Sequence, residues 1–87
     1  MKKREVLKLI KLKDFIKVIG CYEIEVNVYD SFEDYKNGDY TSVFAGSVYR
    51  MNGRIAELVA QYGNDYVFNT NSDFDVIEIN VIRKEVI

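Results

Sequence analysis

The chain is 87 residues long, with 48 % apolar residues and twelve phenylalanines and tyrosines, which excludes a disordered polymer and is the size of one domain. It has no histidine and one cysteine, which excludes an internal disulfide, a zinc site of cysteines and histidines, and every catalytic pair built on an imidazole. Its charge is uneven: residues 1–20 carry seven basic side chains against Glu5 and Asp14, net +5, while residues 21–87 carry five basic against twelve acidic, net −7.

The expected organisation is a single domain, 1–87, with residues 1–11 a basic N-terminal arm or additional element. Lys8, Lys11 and Lys13 interrupt the first apolar run, so neither a membrane span nor a secretory leader is expected there, and a cytoplasmic location is the simplest reading. Val6, Leu9 and Ile10 point about 150° away from the stripe of Leu12, Phe15, Ile16 and Ile19 if both lie on one helix. Either one helix over 3–19 is sandwiched between two partners, or the chain breaks near Lys11 and residues 5–11 form a separate strand or arm; the break is favoured. Residues 12–19 then form a helix, with Asp14 in its first turn and Gly20 as its stop.

In residues 21–30, Ile24, Val26 and Val28 alternate with Glu23, Glu25 and Asn27, which predicts a strand with one wet face and hence an antiparallel sheet. Asp30 to Asp39 reads as a polar loop ending in Asn37-Gly38, a hairpin-turn signal. A second strand follows over about 40–50, with Gly46 suggesting a bulge or a close packing point. Asn52 can cap a helix over 53–62, whose buried stripe is Ile55, Leu58, Val59 and Tyr62, and Gly63 ends it. A short strand Tyr66–Thr70, a turn at Asn71-Ser72-Asp73 and a last strand over 74–83 complete the chain. Ile77, Ile79 and Val81 make one face of that strand and Val76 and Ile82 part of the other, so it is expected to be central or covered on both sides. The fold class is α+β: a small antiparallel sheet packed on two short helices, in the order arm–α–β–β–α–β–β.

Catalysis is not expected. Cys21 beside Tyr22 reads as a small core residue, and a chain this short leaves little room for the cleft that paired carboxylates need. No cofactor or metal is expected either. Asn69, Asn71, Asp73 and Asp75 alternate like a calcium loop, but Phe74 and Asn80 stand where that loop needs Gly and Glu, so a polar hairpin turn is the reading. There is no glycine-rich phosphate loop.

Binding remains. Lys2, Lys3, Arg4, Lys8, Lys11, Lys13 and Lys17 either contact nucleic-acid phosphates or solvate a helix, and the acidic balance of the whole favours the second. The body offers a candidate partner-binding set: Glu23, Glu25, Tyr29, Asp30, Glu33, Asp34, Tyr35, Asp39 and Tyr40. Converging on one face with Asp65, Asp73 and Asp75 of the other hairpin, these acids would imitate the phosphates of DNA and occupy a basic groove, with tyrosines as anchors; scattered, they are an ordinary acidic surface. A third possibility is self-association through Val6, Leu9 and Ile10.

Leu12-Lys13-Asp14-Phe15-Ile16, Glu23-Ile24-Glu25-Val26, Val28-Tyr29-Asp30 and Phe44-Ala45-Gly46-Ser47-Val48 resemble a recurring type of small phage and prophage protein over about residues 11–82. The chain departs from that type at Lys11, where a Thr or Ser cap is usual, and in its additional residues 1–10. The resemblance implies origin in a phage or mobile element, whose small acidic proteins include inhibitors of host defence. The opening Leu7 to Phe15 is also similar to the start of one group of anti-CRISPR proteins directed at type II effector nucleases. The implied partner is a host nuclease, bound and blocked without catalysis; no functional residue carries over from the likeness.

Overall fold

The computed structural model describes residues 9–19, 23–47, 52–73 and 75–86. Expectations at residues 1–8, Gly20, Cys21, Tyr22 and Phe74, and at the end of the second strand beyond Ser47, lie outside the described residues. The elements are β1 (Ile10–Lys11), α1 (Leu12–Val18), β2 (Glu23–Tyr29), α2 (Phe32–Asn37), β3 (Thr41–Ser47), α3 (Asn52–Tyr62), β4 (Tyr66–Asp73), β5 (Val76–Ile82) and a 3-10 turn, Lys84–Val86. The strands form one sheet in the order β1-β4-β5-β2-β3. The fold is α+β, as the apolar patterning implies.

One sheet face is covered by α1 and α3. Leu12, Ile16 and Ile19 meet Leu58 over Ile24, Val26, Val28, Phe44, Val67, Ile79 and Val81, with Phe15, Ile55, Val59 and Tyr62 packed around them. These are the helix stripes spaced i, i+3, i+4, i+7 and the alternate strand positions, so each element buries its apolar side against the other layer.

The chain does break before Leu12. Lys11 is extended (φ −68°, ψ 146°), and Ile10 and Lys11 pair with Val67 and Tyr66 of β4. No side chain caps α1. Instead the Leu12 and Lys13 N–H groups donate to the carbonyls of Asp65 and Gly63, at 2.9 and 3.0 Å. The turn after α3 therefore supplies what a Thr or Ser cap would, which explains why Lys11 is tolerated there.

Four expectations are corrected. The sheet is mixed: β2 pairs with β5 in parallel, Ile24 beside Ile77 and Val26 beside Ile79, while the other three pairings among the described residues are antiparallel. Parallel neighbours need no local turn, so nothing in the sequence between them announces the pairing. Residues 32–37 are a helix within the segment read as a loop. Ser31 Oγ accepts the Asp34 N–H (3.1 Å), and Gly38, left-handed at φ 75°, closes the end as its N–H donates to Tyr35 O and that of Asp39 to Asp34 O. Asn37-Gly38 is thus a helix stop and not a hairpin turn. β4 runs through Asp73, because Asn71, Ser72 and Asp73 pair with Glu78, Ile77 and Val76; the expected turn at Asn71-Ser72-Asp73 is strand. Finally, the irregularity in β3 falls at Val43, between the pairs Phe44–Val26 and Ser42–Asn27, and not at Gly46, which pairs with Ile24.

Candidate functional site

The second sheet face carries the polar half of each alternation. On β2 it is Glu23, Glu25, Asn27 and Tyr29; on β5 it is Val76, Glu78, Asn80 and Ile82; on β4 it includes Asn69 and Asn71. Its middle is a closed ring of five side chains. Asn27 Nδ2 donates to Glu78 Oε2 (3.0 Å) and Asn80 Oδ1 (3.5 Å), Asn80 Nδ2 to Asn69 Oδ1 (3.1 Å), and Asn71 Nδ2 to Asn69 Oδ1 (3.4 Å) and Glu78 Oε1 (3.0 Å). Asn27 and Asn80 are only 3 % and 2 % exposed, so this ring satisfies amides that would otherwise be costly to bury. The expected polar turn at Asn69 and Asn71 is in fact part of this ladder. Among the described residues no group of three or more acidic or cysteine side chains is placed to hold a metal ion.

Towards the C-terminal end of β2 the face turns aromatic. The rings of Tyr29 and Tyr35 lie 5.2 Å apart, and those of Tyr29 and Tyr40 5.5 Å. Phe68 receives Tyr29, Phe32 and Tyr35 nearly edge-on, at 5.8, 5.7 and 4.8 Å. Two local features build this cluster. The Ser31 cap and Gly38 stop fold residues 32–37 back over the sheet. A register shift between Val67 and Asn69 leaves Phe68 as an extra residue in β4. Tyr29 itself is buried, and burial pushes its hydroxyl pKa up, with the charge of Glu78 and the hydroxyls of Tyr35 and Tyr40 adding to the effect.

The nine candidate residues fall into four groups. Tyr29, Tyr35 and Tyr40 meet in the ring cluster. Glu33 and Asp34 sit in the first turn of α2, between Phe32 and Tyr35 in the chain, and Asp39 follows its stop, next to Tyr40; Glu33 and Asp34 also favour the positive helix end. Asp30 is committed within the chain, its Oδ1 3.6 Å from Arg83 Nη1. Glu23 and Glu25 are exposed on the same face, but at about 3.3 Å per residue they are about 20 and 13 Å along β2 from Tyr29, beyond an ionic screening length of about 8–10 Å. Glu25 instead neighbours Glu78, and with Asn71 and Val76 they line a depression of about 240 Å³. The ring thus runs into this depression through Asn71 and Glu78, and the charge of Glu78 also reaches Tyr29 at the aromatic end.

Phe32, Phe68, Asn27, Asn80 and Glu78 were not singled out from sequence. Phe32 and Phe68 join the cluster through a six-residue helix and a bulge, neither of which has a periodic signal. The ring residues occupy the polar positions of strands that look ordinary singly and make sense only side by side. No helix of the described residues is long and apolar enough to cross a membrane.

No known family, curated protein or solved structure matches this chain.

Proposed function

We propose that this chain acts by binding, without catalysis, and presents the tyrosine cluster and the carboxylates beside it in the chain to a basic surface of a partner protein. The observation that carries the reading is that Tyr29, Tyr35 and Tyr40, eleven positions apart at the extremes, meet in one cluster, with Glu33, Asp34 and Asp39 on the same chain segment. Rings supply contact area at low entropic cost, and carboxylates steer a cationic partner. In its specific form, the chain comes from a phage or mobile element, and the partner is a host nucleic-acid-handling nuclease, blocked by occlusion of its basic groove. This form rests on the sequence resemblance and on the −7 body. The test is capture from host lysate, read by mass spectrometry, with Glu33, Asp34 and Asp39 all changed to Lys. The wild type should retain a basic nuclease at low salt and release it at high salt. Undiminished capture and inhibition by the triple variant would remove this surface from the function.

A second reading is favoured by Ile10, which stays exposed on the outermost strand β1. Self-association there would change solution mass when Leu9 and Ile10 are made polar; an unchanged monomeric mass removes it.

A further inference from the structure

We infer that the ring cluster at α2 is a docking platform for an arginine side chain, presented by the basic partner; the inference rests on the reading of this face as a binding surface. Among the described residues, five large apolar side chains remain exposed, and three of them, Phe32 (43 %), Tyr35 (38 %) and Tyr40 (51 %), belong to this one cluster. An exposed aromatic patch of this kind marks an interaction site more often than a scattered apolar residue does. The rings are already fixed against Phe68 and Tyr29, so little side-chain freedom is lost when a ligand arrives.

The charge around the rings selects the ligand. Glu33, Asp34 and Asp39 are chain neighbours of Phe32, Tyr35 and Tyr40, against Lys36 as the one basic residue of α2. Nucleic-acid bases would stack on such rings, but their phosphates would meet these carboxylates, so a nucleic acid is disfavoured. A cation is not. Arginine fits better than lysine because its planar guanidinium is weakly hydrated, stacks on a ring and can still pair with a carboxylate through its remaining N–H groups. The chain makes such a contact internally at Arg54, whose guanidinium lies 5.2 Å from the Phe44 ring centre. Among the described residues, no lysine or arginine is placed over a ring of the α2 cluster, and Arg83 is engaged by Asp30, Asp65 and Glu85.

The experiment compares two synthetic peptides of equal length and charge, one carrying arginines and the other lysines at the same positions. Each is titrated into the intact protein and followed by the NMR shifts of the aromatic protons. The arginine peptide should bind about threefold to fivefold more tightly. The Phe32→Leu/Tyr40→Leu variant should lose that preference while keeping the weaker, charge-driven binding of both peptides. Glu33→Gln with Asp39→Asn should weaken both peptides alike. Phe32 and Tyr40 are exposed, and an unchanged far-UV circular dichroism spectrum confirms folding; Tyr40→Leu alone serves if the double variant does not fold. Equal affinity for the two peptides, indifferent to the ring substitutions, overturns the arginine platform and leaves the acidic binding surface standing. Binding of neither peptide overturns both. Ring-dependent binding of a single-stranded oligonucleotide in preference to the arginine peptide overturns the choice of ligand.

Discussion

Asn80 is nearly inaccessible, yet its amide is placed between Asn27 and Asn69 on the neighbouring strands. Asn80→Ala would remove the nearer of the two donors to Asn69 Oδ1 and one acceptor of the buried Asn27 amide, at a cost of about 1–3 kcal/mol in urea unfolding. Asn71→Ala, at the exposed rim of the same ring, should cost less, about 0.5 kcal/mol, because water replaces the amide. The contrast measures burial, not hydrogen-bond number. Tyr29 adds a pH dependence with a definite sign. Its folded-state pKa lies above the unfolded value of about 10, so the native state holds the phenolic proton more tightly. The resulting stabilisation is complete below pH about 10 and is lost as pH rises through the folded pKa. Thermal midpoints measured from pH 8 to 11.5 should fall at the alkaline end, and Tyr29→Phe should flatten that fall. From sequence, Tyr29 stands out as an interfacial ring, but its burial depends on Phe68 and α2, which lie elsewhere in the chain.

At the level of elements, two glycines show how a turn can depend on conformation in one place and on space in another. Gly38 ends α2 in the left-handed region, at φ 75°, with open space where a side chain would be. Gly38→Ala should therefore cost only the backbone penalty, about 1–2 kcal/mol. Gly63, after α3, is crowded: a methyl group would collide with the Val59 carbonyl and crowd Lys13 Cβ at 3.2 Å. Its carbonyl also accepts the Lys13 N–H at the start of α1. Gly63→Ala should displace the α1–α3 contact and cost about 1–3 kcal/mol, seen in chemical denaturation as a lower midpoint. Both glycines stand out in the sequence, Gly63 as a helix stop and Gly38 as a turn residue. That Asn37-Gly38 ends a helix and not a hairpin is not visible, because the two structures share the same left-handed glycine. The Ser31-x-x-Asp34 pattern hints at the cap, but six residues are too few for a periodic stripe to confirm it.

At the level of the whole molecule, β2 and β5 lie side by side in the centre of the sheet, and Ile24, Val26, Ile79 and Val81 are fully buried. Native-state hydrogen exchange should therefore be slowest in β2 and β5 and fastest in α2 and β1, since α2 buries no residue completely and β1 has two residues. Uniform protection across α2 and β5 would contradict this hierarchy. The same arrangement explains the separation of surfaces. α1 and α3 cover one face, and the other carries the asparagine ring, the Glu25–Glu78 depression and the aromatic end under α2.

The amino-acid order alone determined the α+β class, the two core helices, the break before Leu12, the centrality of the last strand and the outward turn of Glu23 and Glu25, because each follows from periodicity or capping within a few residues. Tertiary structure alone decided the parallel pairing of β2 with β5, the closed ring of Asn27, Glu78, Asn80, Asn69 and Asn71, and the meeting of Phe32 and Phe68 with three tyrosines. Those contacts join residues distant in the chain, and they exist only once strand order and register place them side by side.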